Sequence, residues 1–417
     1  MAEQQATDNP AAALPVSLAD IRAAAGRLEG AIRRTACEKS QTLSAITGCT
    51  VYIKFENLQF TAAYKERGAL NKLLSLSAAE RKRGVVAMSA GNHAQGVAYH
   101  AQRLGIPATI VMPFGTPQIK IKHTAVLGAK VEVHGDKLED ATARALEIAE
   151  KEDRVFVHPF DDPIVIAGQG TVALEMLEDV PDLDVLCVPI GGGGLISGMA
   201  VAAKTLRPDI EIIGVQAEFY PSMHAALRGQ EAVCGGDTLA EGIAVKFPGK
   251  VTTQIVRRLV DDILLVGEHT LESAVSMLVN IEKTVAEGAG AAGLAALLAY
   301  PERFRGRKVG LVITGGNIDS RLLSSILMRD LIREGRIVRL RLTMRDLPGQ
   351  LMKAAQVVSS HGGNIIDVHH SRHFLNLPAK GTSCDMEVEA RDSAQIKAII
   401  DDLNEAGFRV QTLATSS

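Results

Sequence analysis

Apolar residues along the chain occur in short runs, separated by longer segments in which they recur at helical spacing. Several runs are apolar at consecutive positions, as strands buried on both faces of a parallel sheet must be. The strand candidates are 51–55, 85–88, 108–112, 130–133, 155–157, 185–190, 210–215 and 309–313. The helix candidates include 94–104, 138–150, 195–206 and 271–286. This alternation predicts an α/β fold with parallel sheets, divided into two lobes around a cleft.

The two ends of the chain have a different character. Residues 1–16 resemble a flexible Ala/Pro tail, and Ser17 with Asp20 forms a capping box that opens a helix. Near 333–336 the composition changes, and a strand of alternating apolar and basic residues follows. Residues 337–417 then read as β-α-β-β-α-β, with strands near 337–344, 365–370, 384–389 and 408–413 and helices near 350–359 and 394–405. We therefore predict a main domain over 17–333 and a small α+β domain over 337–417.

Composition and charge exclude several classes of protein. Hydrophobic residues make up 47% of the chain, but only 4% of residues are aromatic, and the net charge is −3. Without a basic run, a nucleic-acid partner is not expected. No segment approaches the ~20 apolar residues that a membrane span needs, and no signal peptide is recognisable at the N-terminus. The five cysteines are widely spaced and include no CxxC pair, which predicts a reducing, cytoplasmic location.

A run of four glycines carries the strongest chemical signal. A buried strand leads into Gly191, Gly192, Gly193 and Gly194, and a helix follows. Glycines let backbone N–H groups approach an anion, and the N-terminus of the helix adds partial positive charge, so we expect a phosphate site. The dinucleotide-binding GxGxxG motif does not fit, because Ile196 and Ser197 occupy the possible third-glycine positions. This weakens the alternative of a nicotinamide-dependent dehydrogenase.

Two further strands end in polar, glycine-containing turns. The first turn and the helix start after it contain Ser89, Ala90, Gly91, Asn92 and His93, whose amides could hold a carboxylate. His93 is a possible base, although a histidine at a helix start is more often satisfied by its neighbours. The second turn follows the 309–313 strand and begins with Thr314. Because ligands in open α/β sheets gather beyond the carboxyl ends of strands, we expect these turns to meet in one cleft.

The order of these segments resembles a known family. Together with Tyr64-Lys65-Glu66-Arg67-Gly68-Ala69, they resemble the fold-type II (tryptophan synthase β-like) pyridoxal-phosphate enzymes, most closely the threonine dehydratase (threonine ammonia-lyase) and serine dehydratase group. The resemblance covers nearly all of residues 17–330. Residues 337–417 resemble an ACT domain, an amino-acid-sensing module of many allosteric dehydratases.

The resemblance implies a cofactor, pyridoxal 5'-phosphate, and a role for each motif. Lys65 would form the Schiff base and act as the catalytic base, and the four glycines would cradle the cofactor phosphate. Tyr64 would lie beside the cofactor, with Asn92 at the ring hydroxyl and Thr314 at the ring nitrogen. The segment from Ser89 to His93, including Ala90, would surround the substrate carboxylate. The implied reaction converts L-threonine to 2-oxobutanoate and ammonia, and L-serine to pyruvate, as in isoleucine biosynthesis.

Departures from the family pattern leave the substrate open. Tyr64 replaces the usual Phe, and Ala62-Ala63 replaces Gly-Ser, so 3-hydroxyaspartate is an alternative substrate. Ala90 replaces the second acid-base serine of serine racemases, which weakens the racemase alternative. Glu218 lies where some relatives bind a divalent cation, but no other ligand stands out, so we expect no metal site.

The resemblance also implies regulation and assembly. The turn over 346–350 lies where ACT domains bind amino acids, and isoleucine or valine is the expected effector. A purely structural dimerisation domain is the alternative, and a non-catalytic amino-acid sensor is the non-enzyme alternative for the whole chain. The family resemblance further suggests a homodimer or homotetramer.

Overall fold

The chain folds into two compact units in a computed structural model that describes residues 14–371 and 381–413. The units divide between Asp319 and Ser320. The helix Ser320–Arg333 therefore belongs to the second unit, where it contacts the first strand of the C-terminal sheet, and not to the main domain predicted over 17–333. Apart from its last three residues, the tail predicted over 1–16 lies outside the described residues.

The first unit alternates strands and helices. Its strands are β1 (Cys37–Ser40), β2 (Thr50–Lys54), β3 (Val85–Met88), β4 (Ala108–Met112), β5 (Lys130–Val133), β6 (Val155–Phe156), β7 (Val185–Pro189), β8 (Glu211–Ala217), β9 (Asp262–Val266) and β10 (Lys308–Val312). Its helices are α1 (Leu18–Leu28), α2 (Gln41–Thr47), α3 (Lys65–Ser75), α4 (Ala78–Arg83), α5 (Asn92–Arg103), α6 (Gln118–Val126), α7 (Leu138–Lys151), α8 (Pro163–Asp179), α9 (Gly194–Leu206), α10 (Ser222–Leu227), α11 (Lys250–Leu259), α12 (Glu268–Asn280), α13 (Gly288–Ala299) and α14 (Pro301–Phe304). The predicted α/β fold with parallel sheets is confirmed.

Two sheets define the two lobes of this unit. The larger sheet has the order β1-β2-β10-β7-β8-β9 and is parallel except for the antiparallel edge strand β1. The smaller sheet has the order β5-β4-β3-β6 and is parallel throughout. Each sheet has a core of aliphatic side chains. Since neighbouring parallel strands end at the same edge of a sheet, each lobe gathers its turns along one edge.

Glycines allow the main helices to cross closely. A Cβ atom on Gly198 of α9 would lie 2.3 Å from the carbonyl oxygen of Ile166 and 2.6 Å from the backbone nitrogen of Gly170, both in α8. Gly198 therefore allows α8 and α9 to pack closely, and its role differs from that of the four consecutive glycines that precede α9.

The main differences from the sequence prediction are two unpredicted strands and one helix that ends well before its predicted end. Strands β1 and β9 were not predicted; β1 is short and polar because it is an edge strand. The helix predicted over 271–286 spans Glu268–Asn280. It ends early, and Lys283 then adopts a left-handed backbone with φ of 53°. The chain beyond Asn280 thus runs as an irregular segment toward α13.

The second unit confirms the predicted β-α-β-β-α-β order. Its helices are α15 (Ser320–Arg333), α16 (Gln350–Ser360) and α17 (Ser393–Glu405), and its strands are β11 (Ile337–Arg345), β12 (Asn364–Ser371), β13 (Gly381–Glu389) and β14 (Arg409–Leu413). The antiparallel sheet has the order β12-β13-β11-β14, with an apolar core between sheet and helices. Across both units, none of the helices in the described ranges is long and apolar enough to cross a membrane.

Candidate active site

The turns singled out in the sequence meet in the first unit. A β-bridge joins Ala63 to Gly315, and the backbone N–H of Tyr64 donates to the carbonyl of Thr314 at 3.0 Å. A Cβ atom on Gly315 would lie 2.9 Å from Nδ2 of Asn92. The turn before Lys65 (the lysine turn), the turn from Ser89 to Asn92 (the asparagine turn) and the turn after β10 that begins at Thr314 (the threonine turn) therefore form one connected site.

Lys65 is the first residue of α3 and is largely buried. Its Nζ donates to the carbonyl oxygen of Pro159 at 2.8 Å and lies 5.3 Å from the ring centroid of Tyr64. Burial lowers the pKa of Lys65 from 10.5 to about 8, partly opposed by the nearby carboxylate of Glu287. An amine of this pKa is neutral often enough near neutral pH to act as a nucleophile or base.

The glycine run forms a narrow cradle before α9. A Cβ atom on Gly192 would lie 2.3 Å from the ring of Phe160, and one on Gly194 would lie 3.0 Å from the backbone of the same residue. Gly193 adopts φ of 97°, a conformation that favours glycine. Gly191 would place a Cβ atom 3.1 Å from Cα of Ile243. Among the hydrogen bonds found outside helices and strands in the described part of the chain, none uses the N–H groups of these four glycines. Backbone N–H groups at a helix start are of the kind that suits an anion.

Segments from elsewhere in the chain support the cradle. The Thr252 hydroxyl donates to the carbonyl of Gly192 at 2.6 Å. The carboxylate of Asp161 accepts from the backbone N–H groups of Lys250 and Thr252 at 2.9 and 3.1 Å. The first turn of α11 is thereby tied to the residue that follows Phe160. Sequence reasoning missed Asp161 and Thr252, which have no local motif.

Asn92 and Glu287 form a polar pair across the site. Nδ2 of Asn92 donates to Oε1 of Glu287 at 2.7 Å, and the backbone N–H of Glu287 donates to the carbonyl of Gly315 at 3.0 Å. Burial raises the pKa of Glu287 from 4.5 to about 7, although the bond from Asn92 opposes this. Sequence reasoning missed Glu287; its only local signal is its place immediately before the Gly/Ala-rich helix α13. Perturbed carboxyl groups in clefts are common at functional sites.

The other residues of the asparagine turn take different positions. Ser89 accepts from the backbone N–H of Gly91 at 3.1 Å, which shapes the turn, and Ala90 is partly exposed beside it. His93 is buried, its Nε2 bonds to the carbonyl of Val157 at 2.9 Å, and burial lowers its pKa to about 3. Because a carbonyl only accepts, this bond requires a proton on Nε2, and the lowered pKa of His93 keeps the ring neutral. The side chain is therefore anchored inside the smaller lobe through Nε2, while its buried Nδ1 has no hydrogen-bond partner among the described residues. The backbone of His93 belongs to the N-terminus of α5.

Thr314 and Tyr64 are joined within the site by a backbone hydrogen bond. Thr314 is 4% exposed, and its backbone is held by the bond from Tyr64. Burial, assisted by the Glu287 carboxylate, raises the pKa of the Tyr64 hydroxyl above its usual range. Tyr64 is therefore a neutral phenol at physiological pH.

Glu218 follows β8 as an exposed side chain. Within the described ranges, no group of three His, Cys, Asp or Glu residues could hold a metal ion. The five cysteines are all free thiols.

Comparison with known proteins shows the family of this chain. The sequence profile of the family described as "Pyridoxal-phosphate dependent enzyme" matches residues 28–315. An L-threonine ammonia-lyase of Thermotoga maritima is 46% identical over 95% of this chain and 99% of that protein. Threonine deaminase isoform 2 of Solanum lycopersicum is 36% identical with a TM-score of 0.71, covering 75% of this chain and 91% of that one. Maize serine racemase is 33% identical with a TM-score of 0.71, covering 77% of this chain and 99% of that one.

The full-length similarity includes the second unit as well as the first. The profile match contains the lysine, asparagine and glycine turns and reaches Gly315, just beyond Thr314. The chain therefore belongs to the family of pyridoxal-phosphate dependent enzymes and, within it, to the L-threonine ammonia-lyases.

Proposed function

We propose that this protein converts L-threonine to 2-oxobutanoate and ammonia, and L-serine to pyruvate and ammonia, with pyridoxal phosphate as cofactor. The observation that carries the proposal is the position of Lys65. Its amine is largely buried, has a pKa of about 8, and lies in the connected site formed by the asparagine and threonine turns.

The residues of the site fit pyridoxal phosphate. The cradle of Gly191, Gly192, Gly193 and Gly194 would be filled by a Cβ atom at each position, and its N–H groups are suited to the phosphate. Lys65 would hold the cofactor covalently, Tyr64 would lie beside it, Asn92 would contact the ring hydroxyl, and Thr314 would face the ring nitrogen. When bound, the cofactor withdraws electrons from the Cα atom of the amino acid attached to it.

Lys65 is the proposed base that removes the Cα proton. With a pKa of about 8, about one amine in ten is neutral at pH 7, compared with about one in 2,500 at the ordinary lysine pKa. Burial thus supplies the neutral amine that proton abstraction requires. Loss of the β-hydroxyl with a proton, followed by hydrolysis of the released product, accounts for the 2-oxo acid and ammonia.

The N-terminus of α5 is the proposed site for the substrate carboxylate. Ser89, Ala90, Gly91, Asn92 and His93 form the turn and the first residues of this 12-residue helix. Backbone N–H groups at a helix start attract an anion. The buried side chain of His93 holds the turn in place through its hydrogen bond to the carbonyl of Val157.

Two side chains favour elimination over racemisation. Serine racemisation is the second candidate activity, because maize serine racemase has the same fold and is 33% identical to this chain. Racemisation needs a second acid-base group on the opposite face of the substrate, and the methyl group of Ala90 cannot transfer a proton. A Thr314 hydroxyl at the ring nitrogen, unlike a carboxylate, does not hold a proton there. Both features support the ammonia-lyase.

A direct test is to purify the protein, record its visible spectrum, and measure 2-oxo acid release from threonine, serine and 3-hydroxyaspartate. We expect a yellow protein that acts fastest on threonine. Lys65→Ala should lose the colour and all turnover, while Lys72→Ala, on the same helix and paired with Asp162, should keep both. A faster reaction with 3-hydroxyaspartate would change the substrate. A colourless, inactive protein after added pyridoxal phosphate would leave the amino-acid sensor as the better interpretation.

The second unit is proposed to be an ACT-like domain that binds isoleucine or valine. Its turn over 346–350 lines a cavity of about 650 Å³, together with Met344, Arg345, Leu351, Met352, His370 and Thr382. Mixed apolar and polar lining suits an amino acid with an aliphatic side chain. Coupling to the active site of a typical size, about 1–3 kcal/mol, would change the activity measurably.

Substitution in the full-length chain tests this regulation. Leu347 lines the cavity and is 49% exposed, so Leu347→Asp should remove the response to isoleucine or valine without disturbing the core. Met328 is 45% exposed on α15 and does not line the cavity, so Met328→Asp is the matched control. A response that persists unchanged in Leu347→Asp would contradict the assignment and favour a structural dimerisation domain. We also propose that the protein is cytoplasmic and that it forms a homodimer or homotetramer. Light scattering of the purified protein would test the oligomeric state.

A further inference from the structure

Asn317 follows the turn that begins at Thr314 and connects two other turns of the site. Its Nδ2 donates to the carbonyl oxygen of Thr61 at 2.8 Å and to Oδ1 of Asn92 at 2.8 Å. Both hydrogens of the Asn317 amide are thus used inside the site. One partner lies four residues before Lys65, and the other is the side chain assigned to the cofactor ring.

These contacts leave only one orientation for the Asn92 amide. Its Oδ1 accepts from Asn317, and its Nδ2 donates to Oε1 of Glu287 at 2.7 Å. Rotating the amide by 180° would set its NH₂ group against the NH₂ group of Asn317 and its oxygen against the Glu287 carboxylate. Since Glu287 takes one Nδ2 hydrogen, the second remains available to a ligand oxygen.

Asn317 also fixes the surroundings of this pair. Its backbone N–H bonds to the Glu287 carboxylate and lowers the pKa of that group. On the other side, the backbone N–H of Thr61 donates to the carboxylate of Glu66, which also bonds to Nε2 of His100 at 3.1 Å. The connection therefore runs from inside the smaller lobe, past Lys65, to Glu287.

We propose that Asn317 is a positioning residue that orients the amide of Asn92 toward the ring hydroxyl of pyridoxal phosphate. The inference rests on the assignment of Asn92 made in the proposed function. Asn317 itself need not touch substrate or cofactor. It would affect the cofactor through the orientation of Asn92, and this effect distinguishes Asn317 from a residue that only stabilises the fold.

Asn57 provides a matched control for the hydrogen bonds of Asn317. Its Nδ2 also donates twice, to Oγ1 of Thr284 at 2.7 Å and to the carbonyl of Val285 at 2.9 Å. It lies close to the same turn, because a Cβ atom on Gly316 would be 3.4 Å from its Cβ. Asn57→Ala thus removes two comparable bonds without touching Asn92.

The experiment compares holoenzymes of the wild type, Asn317→Ala, Asn57→Ala, Asn92→Ala and the Asn92→Ala/Asn317→Ala double variant. The measurements are the visible absorption spectrum and the dissociation constant of pyridoxal phosphate. We expect Asn92→Ala and Asn317→Ala to shift the visible band in the same direction and to weaken cofactor binding about tenfold, as loss of an oriented hydrogen bond does. Asn57→Ala should keep the wild-type spectrum. In the Asn92→Ala background, Asn317→Ala should cause no further spectral change.

The possible failures are distinguishable. A wild-type spectrum and cofactor affinity in Asn317→Ala, alongside a changed Asn92→Ala, would overturn the inference and leave the proposed function intact. Wild-type behaviour of Asn92→Ala would instead overturn the assignment of Asn92 itself. If Asn317→Ala does not fold, the isosteric Asn317→Asp replaces it. Asp lacks the two donors, so it must change the spectrum if the inference holds, and an unchanged spectrum would refute it.

Discussion

Glu287→Gln tests whether burial raises the pKa of Glu287, and the quantity measured is the free energy of unfolding as a function of pH. The glutamine amide has the shape of the protonated carboxyl group and keeps an oxygen for Asn92. In the wild type, burial raises the pKa of Glu287 from 4.5 to about 7. Between these two pH values the folded state holds a proton that the unfolded state releases. The wild type therefore loses stability as the pH rises through this window, and the variant lacks this loss.

The size of the effect follows from the same pKa values. A shift from 4.5 to about 7 corresponds to about 3 kcal/mol at full strength. The carboxylate retains some contact with solvent, and its attraction to Lys65 disappears in the variant, so we expect about 2 kcal/mol. Glu287→Gln should thus equal the wild type near pH 4.5 and be about 2 kcal/mol more stable at pH 8.

The assay is urea unfolding of the cofactor-free proteins at several pH values between 4.5 and 8. Asn92→Ala provides a directional check. Removing the hydrogen bond from Asn92, which lowers the pKa of Glu287, should move the pH-dependent loss of stability to higher pH. A difference between Glu287→Gln and wild type that is constant across this pH range would refute the reasoning, because it would mean that Glu287 titrates alike in the folded and unfolded states.

Three other substitutions test separate features of the structure. Gly192→Ala should weaken pyridoxal phosphate binding at least 100-fold, because the added methyl group would lie 2.3 Å from an aromatic ring, while Gly26→Ala, with open space around it, should bind normally when titrated by absorbance. Arg67→Met should lower the free energy of unfolding by about 3–5 kcal/mol in urea, because it leaves the fully buried carboxylate of Glu56 without its cation; an unchanged midpoint would contradict this. Ala62→Gly should raise the free energy of unfolding by about 1 kcal/mol, since Ala62 has φ of 54°. A decrease in thermal midpoint would show that this backbone is not strained.

Much of the fold is encoded in local sequence patterns. Strands β3 and β4 have the predicted bounds, because strands buried on both faces are continuous apolar runs between polar turns. Strand β5 also has the predicted bounds, although its residues alternate between charged and apolar and none is fully buried. The β-α-β-β-α-β order of the second unit was predictable from a different pattern, because strands such as β11 alternate between apolar and polar residues and the helices have one apolar face. The glycine run was also recognisable, since it lies between a strand end and a helix start, whereas Lys65 was recognisable only through the resemblance of its segment to a known family.

The polar connections of the site were decided by the tertiary structure. Asn92 and Glu287 are 195 residues apart, and Asn317 is 256 residues from Thr61, yet each pair is hydrogen-bonded. No periodicity links such residues, because a side-chain hydrogen bond depends on where two turns meet and not on the sequence around either one.

The edge strand β1 and the boundary between the two units were also not predictable from local sequence. The residues of β1 are polar, and they gain strand geometry only by pairing with β2. Helix α15 is grouped with the second unit because it contacts β11, which its own sequence does not reveal. The sequence by itself determined which segments are buried strands, where the backbone approaches an anion, and which lysine lies at a helix start. Only the tertiary structure decided which carboxylates, amides and strands become partners, because those interactions join segments that the chain brings together only when it folds.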